Sequence, residues 1–160
     1  MTKKSNIAIT ILCIIEAICY FTPFCITAHR YALENTKYGS MYVRTGSNDV
    51  SIWQVGGIIT TIAVLLLIIT VATAVLYLLK SINNKLSICK AGWIFSFSRT
   101  ATMAICFYLA LQSGTVALNY SLNWMSYIII ALNIVSTILA IISHFQKTNT
   151  TGNQANNEQC

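Results

Sequence analysis

Charge is what this sequence has least of. Of 160 residues only 9% are Asp, Glu, Lys or Arg, and four are acidic. A soluble domain usually carries about 25% charged residues. The four acids (Glu16, Glu34, Asp49 and Glu158) form no paired motif for general acid–base work. The sequence has two histidines and no C-x-x-C pair, so no zinc-type cluster is expected. G-x-S-x-G, H-E-x-x-H and P-loop patterns are also missing. The chain therefore reads as non-enzymatic, with no metal and no cofactor. The net charge of +6 is scattered between apolar stretches, which argues against nucleic acid as a partner. Proline occurs once, at Pro23. It cannot donate to the Cys19 carbonyl, so a helix end is expected there.

What is abundant is apolar surface. Hydrophobic residues make up 56% of the chain and the mean hydropathy is +0.65. Crossing a bilayer takes roughly 20 consecutive apolar residues. Four stretches meet that length, at about 6–26, 56–79, 93–118 and 124–143. The expected fold is an all-α membrane protein, a bundle of four transmembrane helices over residues 1–145. A polar tail at 146–160 is expected to be disordered. A basic start before an apolar run also describes a secretion signal. This first run is longer than a usual signal core and holds Glu16 at its centre, so a retained span is expected.

Between the first two spans lies an external loop, 27–55. Two alternating runs, Ser40–Thr45 and Val50–Val55, flank the turn-like Gly46-Ser47-Asn48-Asp49. They predict a short β-hairpin displaying Tyr42, Arg44, Ile52 and Trp53. Gly56-Gly57 ends the strand pattern, and Asn119–Asn123 reads as a tight turn. Basic residues set the orientation. With the start of the chain inside, Lys3, Lys4, Lys80, Lys85, Lys90 and Lys147 face inward, against Arg30, Lys37 and Arg44 outward. This excess predicts a multi-pass protein of the cell membrane with both termini cytoplasmic. Trp53, Tyr120 and Trp124 then fall at the outer interface, and Trp93 and Phe145 at the inner one. Juxtamembrane Cys89 is an acylation candidate that reads more simply as a plain cysteine.

The candidate site is intramembrane and polar. A charge at mid-membrane costs roughly 2.5–3.5 kcal/mol on insertion scales, so Glu16 needs a partner. Arg99 on the third span and Asn133 on the fourth lie at matching depth, and Tyr20 is one turn from Glu16. Ser126, Asn133, Thr137, Ala140 and His144 share one helical face, which should point inward. On the third span Ser98, Thr102, Cys106, Ala110 and Gly114 recur every four residues, a small-residue ridge suited to close helix packing.

The plan of the chain, with four spans, internal termini and a β-rich first external loop ending near Trp53, resembles that of claudin-like tetraspan membrane proteins. It departs from them in having one loop tryptophan instead of a W-G-L-W stretch, and no cysteine between Cys25 and Cys89. No residue role is carried across. The expected function is protein–protein interaction within the bilayer, as an accessory subunit, an immunity-type protector or a membrane organiser. A membrane-protein partner or a second copy would be the target. The alternative is a small transporter or channel subunit using Glu16 as an intramembrane carboxylate.

Overall fold

The computed structural model describes residues 2–22, 25–82 and 92–157. Pro23, Cys89 and most of the basic link after Lys80 lie outside them. Four helices are described: α1 (Thr2–Cys19), α2 (Gly57–Ile82), α3 (Gly92–Gln112) and α4 (Trp124–Asn157). Three strands, β1 (Ile26–Thr36), β2 (Gly39–Val50) and β3 (Leu118–Leu122), form one antiparallel sheet in the order β2-β1-β3. The protein is mostly helical, with a small sheet at one end.

Three helices are long and apolar enough to cross a membrane: α2, α3 and α4 over Trp124–Phe145. The first is not among them, which corrects the expected count of four. It stops at Cys19, short of the predicted Ile26, and carries Lys3, Lys4 and Glu16 in its 18 residues. Ile26 is taken by β1 instead. The chain turns at Tyr20–Thr22, where the Phe21 and Thr22 amides bond the Ile18 and Cys19 carbonyls at 3.1 Å each. α1 packs against α2 and α4, and α3 packs against the same two helices. Thus α1 and α3 occupy opposite corners of the bundle.

The distribution of polarity is inverted relative to a water-soluble bundle. Glu16, Arg99, Asn133, Asn6, Thr70 and Ser136 are all fully buried. Ile11, Ile18, Ile68, Ile105, Tyr108 and Ile138 are at least half exposed. Backbone and side-chain polar groups find partners only inside a bundle surrounded by hydrocarbon, while apolar side chains lose nothing by facing outward.

The sheet differs from the predicted hairpin. β2 runs straight through Gly46-Ser47-Asn48-Asp49, the expected turn. The strand it pairs with is Ile26–Thr36, and the real turn is Lys37-Tyr38, closed by Thr36 opposite Gly39. Gly39 has φ +124°, a conformation that favours glycine. Thr45 is the extra residue of a bulge, since Arg30 pairs with Gly46 and Tyr31 with Arg44. The segment after β2 is a 3-10 turn, Ile52–Gln54, in which the Gln54 side chain accepts from the Ser51 amide at 2.8 Å. Asn119–Asn123, expected as a turn, mostly belongs to β3, which pairs with Ile26–Arg30. α3 accordingly ends at Gln112 and not near Leu118.

α4 continues past the expected limit near Phe145 to Asn157, so the stretch expected to be a disordered tail extends the helix over most of its length. A helix already nucleated by its apolar segment propagates at small cost through Gln, Lys and Asn.

The base of the sheet and the bundle share one apolar cluster. Cys25, Ile26 and Ile52 pack with Tyr20, Ile59, Leu66, Met103, Phe107 and Ile129. The Ser126 hydroxyl donates to the Cys25 carbonyl, and burial pushes the Cys25 thiol above its usual range. Ile129→Ala is expected to destabilise the fold by about 2–5 kcal/mol, the range for a truncated core residue. Ile128→Ala, on the outward side, should change little. Reversible unfolding in mixed micelles measures both.

A buried ionic cluster between the helices

The midpoint of the bundle holds an ion pair. Glu16 on α1 and Arg99 on α3 are both fully buried, with Arg99 Nη1 3.5 Å from Glu16 Oε2. The two residues stand on the diagonal corners of the bundle, and Arg99 spans the interior to reach the carboxylate. The other carboxylate oxygen, Oε1, accepts from Asn133 Nδ2 at 2.8 Å and from the Tyr20 hydroxyl. Tyr20, just past the end of α1, is four residues from Glu16, and its amide bonds the Glu16 carbonyl at 3.2 Å, so its side chain stays on the same side as Glu16. The structure therefore brings Glu16, Arg99, Asn133 and Tyr20 into one contact group.

Further residues complete it. Arg99 Nη2 donates to the Ser136 hydroxyl, and Nη1 donates to Cys13 Sγ. Thr100 donates to Asn133 Oδ1 at 2.6 Å and lies 2.9 Å from the Thr137 hydroxyl. The Ser136 hydroxyl also donates to the Asn133 carbonyl at 2.9 Å. The sequence reading does not place Cys13, Thr100 or Ser136 in this cluster. The spacing from Asn133 to Ser136, Thr137 and Ala140 signals the last, because these positions share a face.

The electrostatics favour a neutral, paired unit. Removing two charges from water is costly, and only close pairing with added hydrogen bonds offsets it. Here the carboxylate has a cation, an amide and a phenol, while the guanidinium has a carboxylate, a hydroxyl and a thiol. Neither charge faces the exterior.

The other candidate residues are placed differently. The four-residue ridge of α3 does not face one neighbour. Cys106 and Ala110 are fully buried, Ser98 is exposed, and the Thr102 hydroxyl bonds back to the Ser98 carbonyl at 2.9 Å. Gly114 lies beyond the helix, where a Cβ would come within 2.9 Å of Asn119 Oδ1. The buried line of α3 is instead Gly92, Ser96, Arg99, Met103, Cys106, Phe107 and Ala110. A step of four residues drifts by about 40° per turn from a helix of 3.6, so a strict four-residue series leaves the interface. Of the predicted hairpin residues, Tyr42 and Arg44 are exposed on β2, opposite Leu33 and Tyr31. Ile52 and Trp53 lie outside the hairpin. Ile52 is buried in the apolar cluster, and the Trp53 indole donates to the Tyr20 carbonyl at 2.7 Å while stacking on Phe21 at 5.5 Å. His144 stacks at a tilt on Trp93, 5.4 Å away.

Glu16→Leu is expected to cost about 3–5 kcal/mol, because it leaves Arg99 buried and unpaired. The double variant Glu16→Leu/Arg99→Met should be more stable than that single variant. Unfolding of the four members of this cycle checks the pairing; equal values for the single and double variants would show that Arg99 does not depend on Glu16.

Compared with known proteins, the chain matches no family model and no curated sequence.

Proposed function

We propose that this is a non-enzymatic membrane protein that acts through protein–protein contact, using the β1–β2 hairpin as its docking arm. The observation that carries this reading is the hairpin's exposure. β3 backs only Ile26–Arg30 of β1. From Ala32 to Asp49 the hairpin is exposed at every residue but Val43, and it presents Leu33, Met41, Tyr42 and the fully exposed Tyr38. A lone hairpin is marginal in water, and an open strand edge with exposed apolar side chains is a template for another chain. The fully buried Glu16 is not available to such a partner, so the arm is the better candidate for contact. In this reading α2, α3 and α4 cross the cell membrane with the hairpin outside and the far end of α4 in the cytoplasm, and α1 packs beside α2 and α4 in the same apolar surroundings. The excess of lysines on one side supports that orientation. The partner is another membrane protein or a second copy.

Replacing residues 32–45 by a short turn should remove cross-linked complexes seen with the wild type in native membranes, with the bundle still folded. Complexes unchanged by the replacement would defeat this reading.

A second reading, a transporter or channel subunit, draws on the position of Glu16 at mid-bundle with Asn133 on its carboxylate. Under it, Glu16→Gln abolishes a pH-dependent flux in proteoliposomes, and an undiminished flux removes Glu16 from any transport role.

A further inference from the structure

The two halves of the bundle interior differ in kind. On the sheet side of the ion pair the core is apolar: Ile26, Ile52, Ile59, Leu66, Met103, Phe107 and Ile129 pack without a gap in character. On the other side, Ile9, Cys13, Ala74, Tyr77 and Ala140 form only a small cluster. Beyond it the interior carries buried polar atoms that no group among the described residues satisfies. Both side-chain atoms of Asn6 lack a hydrogen bond, as do Ser143 Oγ and Arg99 Nε. The Tyr77 hydroxyl has Ser96 within electrostatic reach but no bond of hydrogen-bond geometry. Asn6 and Arg99 are fully buried, and Tyr77 and Ser143 are 1% and 3% exposed.

These atoms belong to the half of the bundle nearer the start of α1. The Thr10 hydroxyl, 3.5 Å from the Ala74 carbonyl, fixes the level of α1 against antiparallel α2. Asn6 is one turn from Ile9, and Ser143 one turn from Ala140, both directed away from the sheet. Cys13, which Arg99 touches, is about 10 Å further in than Asn6 at 1.5 Å per residue. A buried amide or hydroxyl without a partner costs about 1–3 kcal/mol, and four such side chains at one end of a core call for a common explanation.

We propose that water fills this half of the bundle. It enters between Asn6, Tyr77 and Ser143, reaches the Arg99 guanidinium, and stops at the apolar cluster beneath the sheet. The chemistry of the set selects water. Asn6 Nδ2 and Arg99 Nε only donate, Asn6 Oδ1 only accepts, and the two hydroxyls do both. A molecule that donates and accepts satisfies all of them, whereas an ion of one sign does not. Buried water of this kind is a structural component of proteins, held by two to four polar partners. The consequence is one-sidedness: the Glu16–Arg99 pair communicates with the aqueous phase at the start of α1 and not with the phase that bathes the sheet. This inference is independent of the hairpin's role.

Hydroxyl-radical footprinting of the wild-type protein in lipid nanodiscs tests it, since radicals formed from bound water oxidise the side chains beside that water. Tyr77 should be oxidised while Met103 and Phe107 in the apolar half stay protected, even though methionine is intrinsically the more reactive side chain. Asn6→Leu, which removes the amide at the entrance, should lower the Tyr77 rate severalfold while Met103 stays protected. Should that variant misfold, exposing Met103, the wild-type comparison decides alone. Protection of Tyr77 to the level of Phe107, or oxidation of Met103 as fast as Tyr77, overturns the proposal.

Discussion

A charge in an apolar interior must be neutralised where it stands, and this structure is arranged around that constraint. Glu16 cannot be left alone at the middle of the bundle, and Arg99 cannot either. Their 3.5 Å pairing sets α1 against α3 across the bundle diagonal. Asn133, bonded to the same carboxylate, sets the height of α4. Apolar packing alone would tolerate sliding by a turn, because Ile and Leu on neighbouring helices are interchangeable. A single ion pair with an amide does not, since a slip of one residue breaks three interactions at once.

Around that fixed point the interior divides. Toward the sheet it is sealed by large apolar side chains, with Tyr20 joining the ionic cluster to the seal: its hydroxyl bonds Glu16, its ring packs in the apolar cluster, and its carbonyl holds the Trp53 indole. Toward the start of α1 it is polar and incompletely satisfied by the protein. Among the described side chains the outward faces of all four helices are mostly apolar. Such a molecule suits a surrounding that competes for no hydrogen bonds, the setting that the lengths of α2, α3 and α4 also imply.

The sheet is built from pieces distant in sequence. β3 comes from the link between α3 and α4, and it pairs with the first five residues of β1. This ties the chain after α1 to the α3–α4 link at one end of the bundle and leaves the rest of the hairpin free. The anchored base and the exposed arm thus follow from one register, in which β1 is longer than the strand that backs it.

The sequence by itself determined that the chain is helical and apolar, where α2 begins, and which polar residues stand in apolar runs. Composition and run length carry that information locally, and a lone carboxylate in such a run has few partners to choose from. Asn133 and Arg99 could be named beside Glu16 because depth along a helix follows from residue count. Tertiary structure alone decided the rest. The strand partner of β2 was hidden because Ile26–Thr36 mixes polar and apolar residues, and only pairing with both β2 and β3 makes it a strand. The end of α1 moved for the same reason: Ile26 gains more as the buried root of a sheet than as the last residue of a helix. The α3 ridge is divided between buried Cys106 and Ala110 and exposed Ser98, because packing selects the faces that neighbours offer, not the spacing of small residues. Local pattern fixes which residues need burial, and only the assembled bundle fixes what each is buried against.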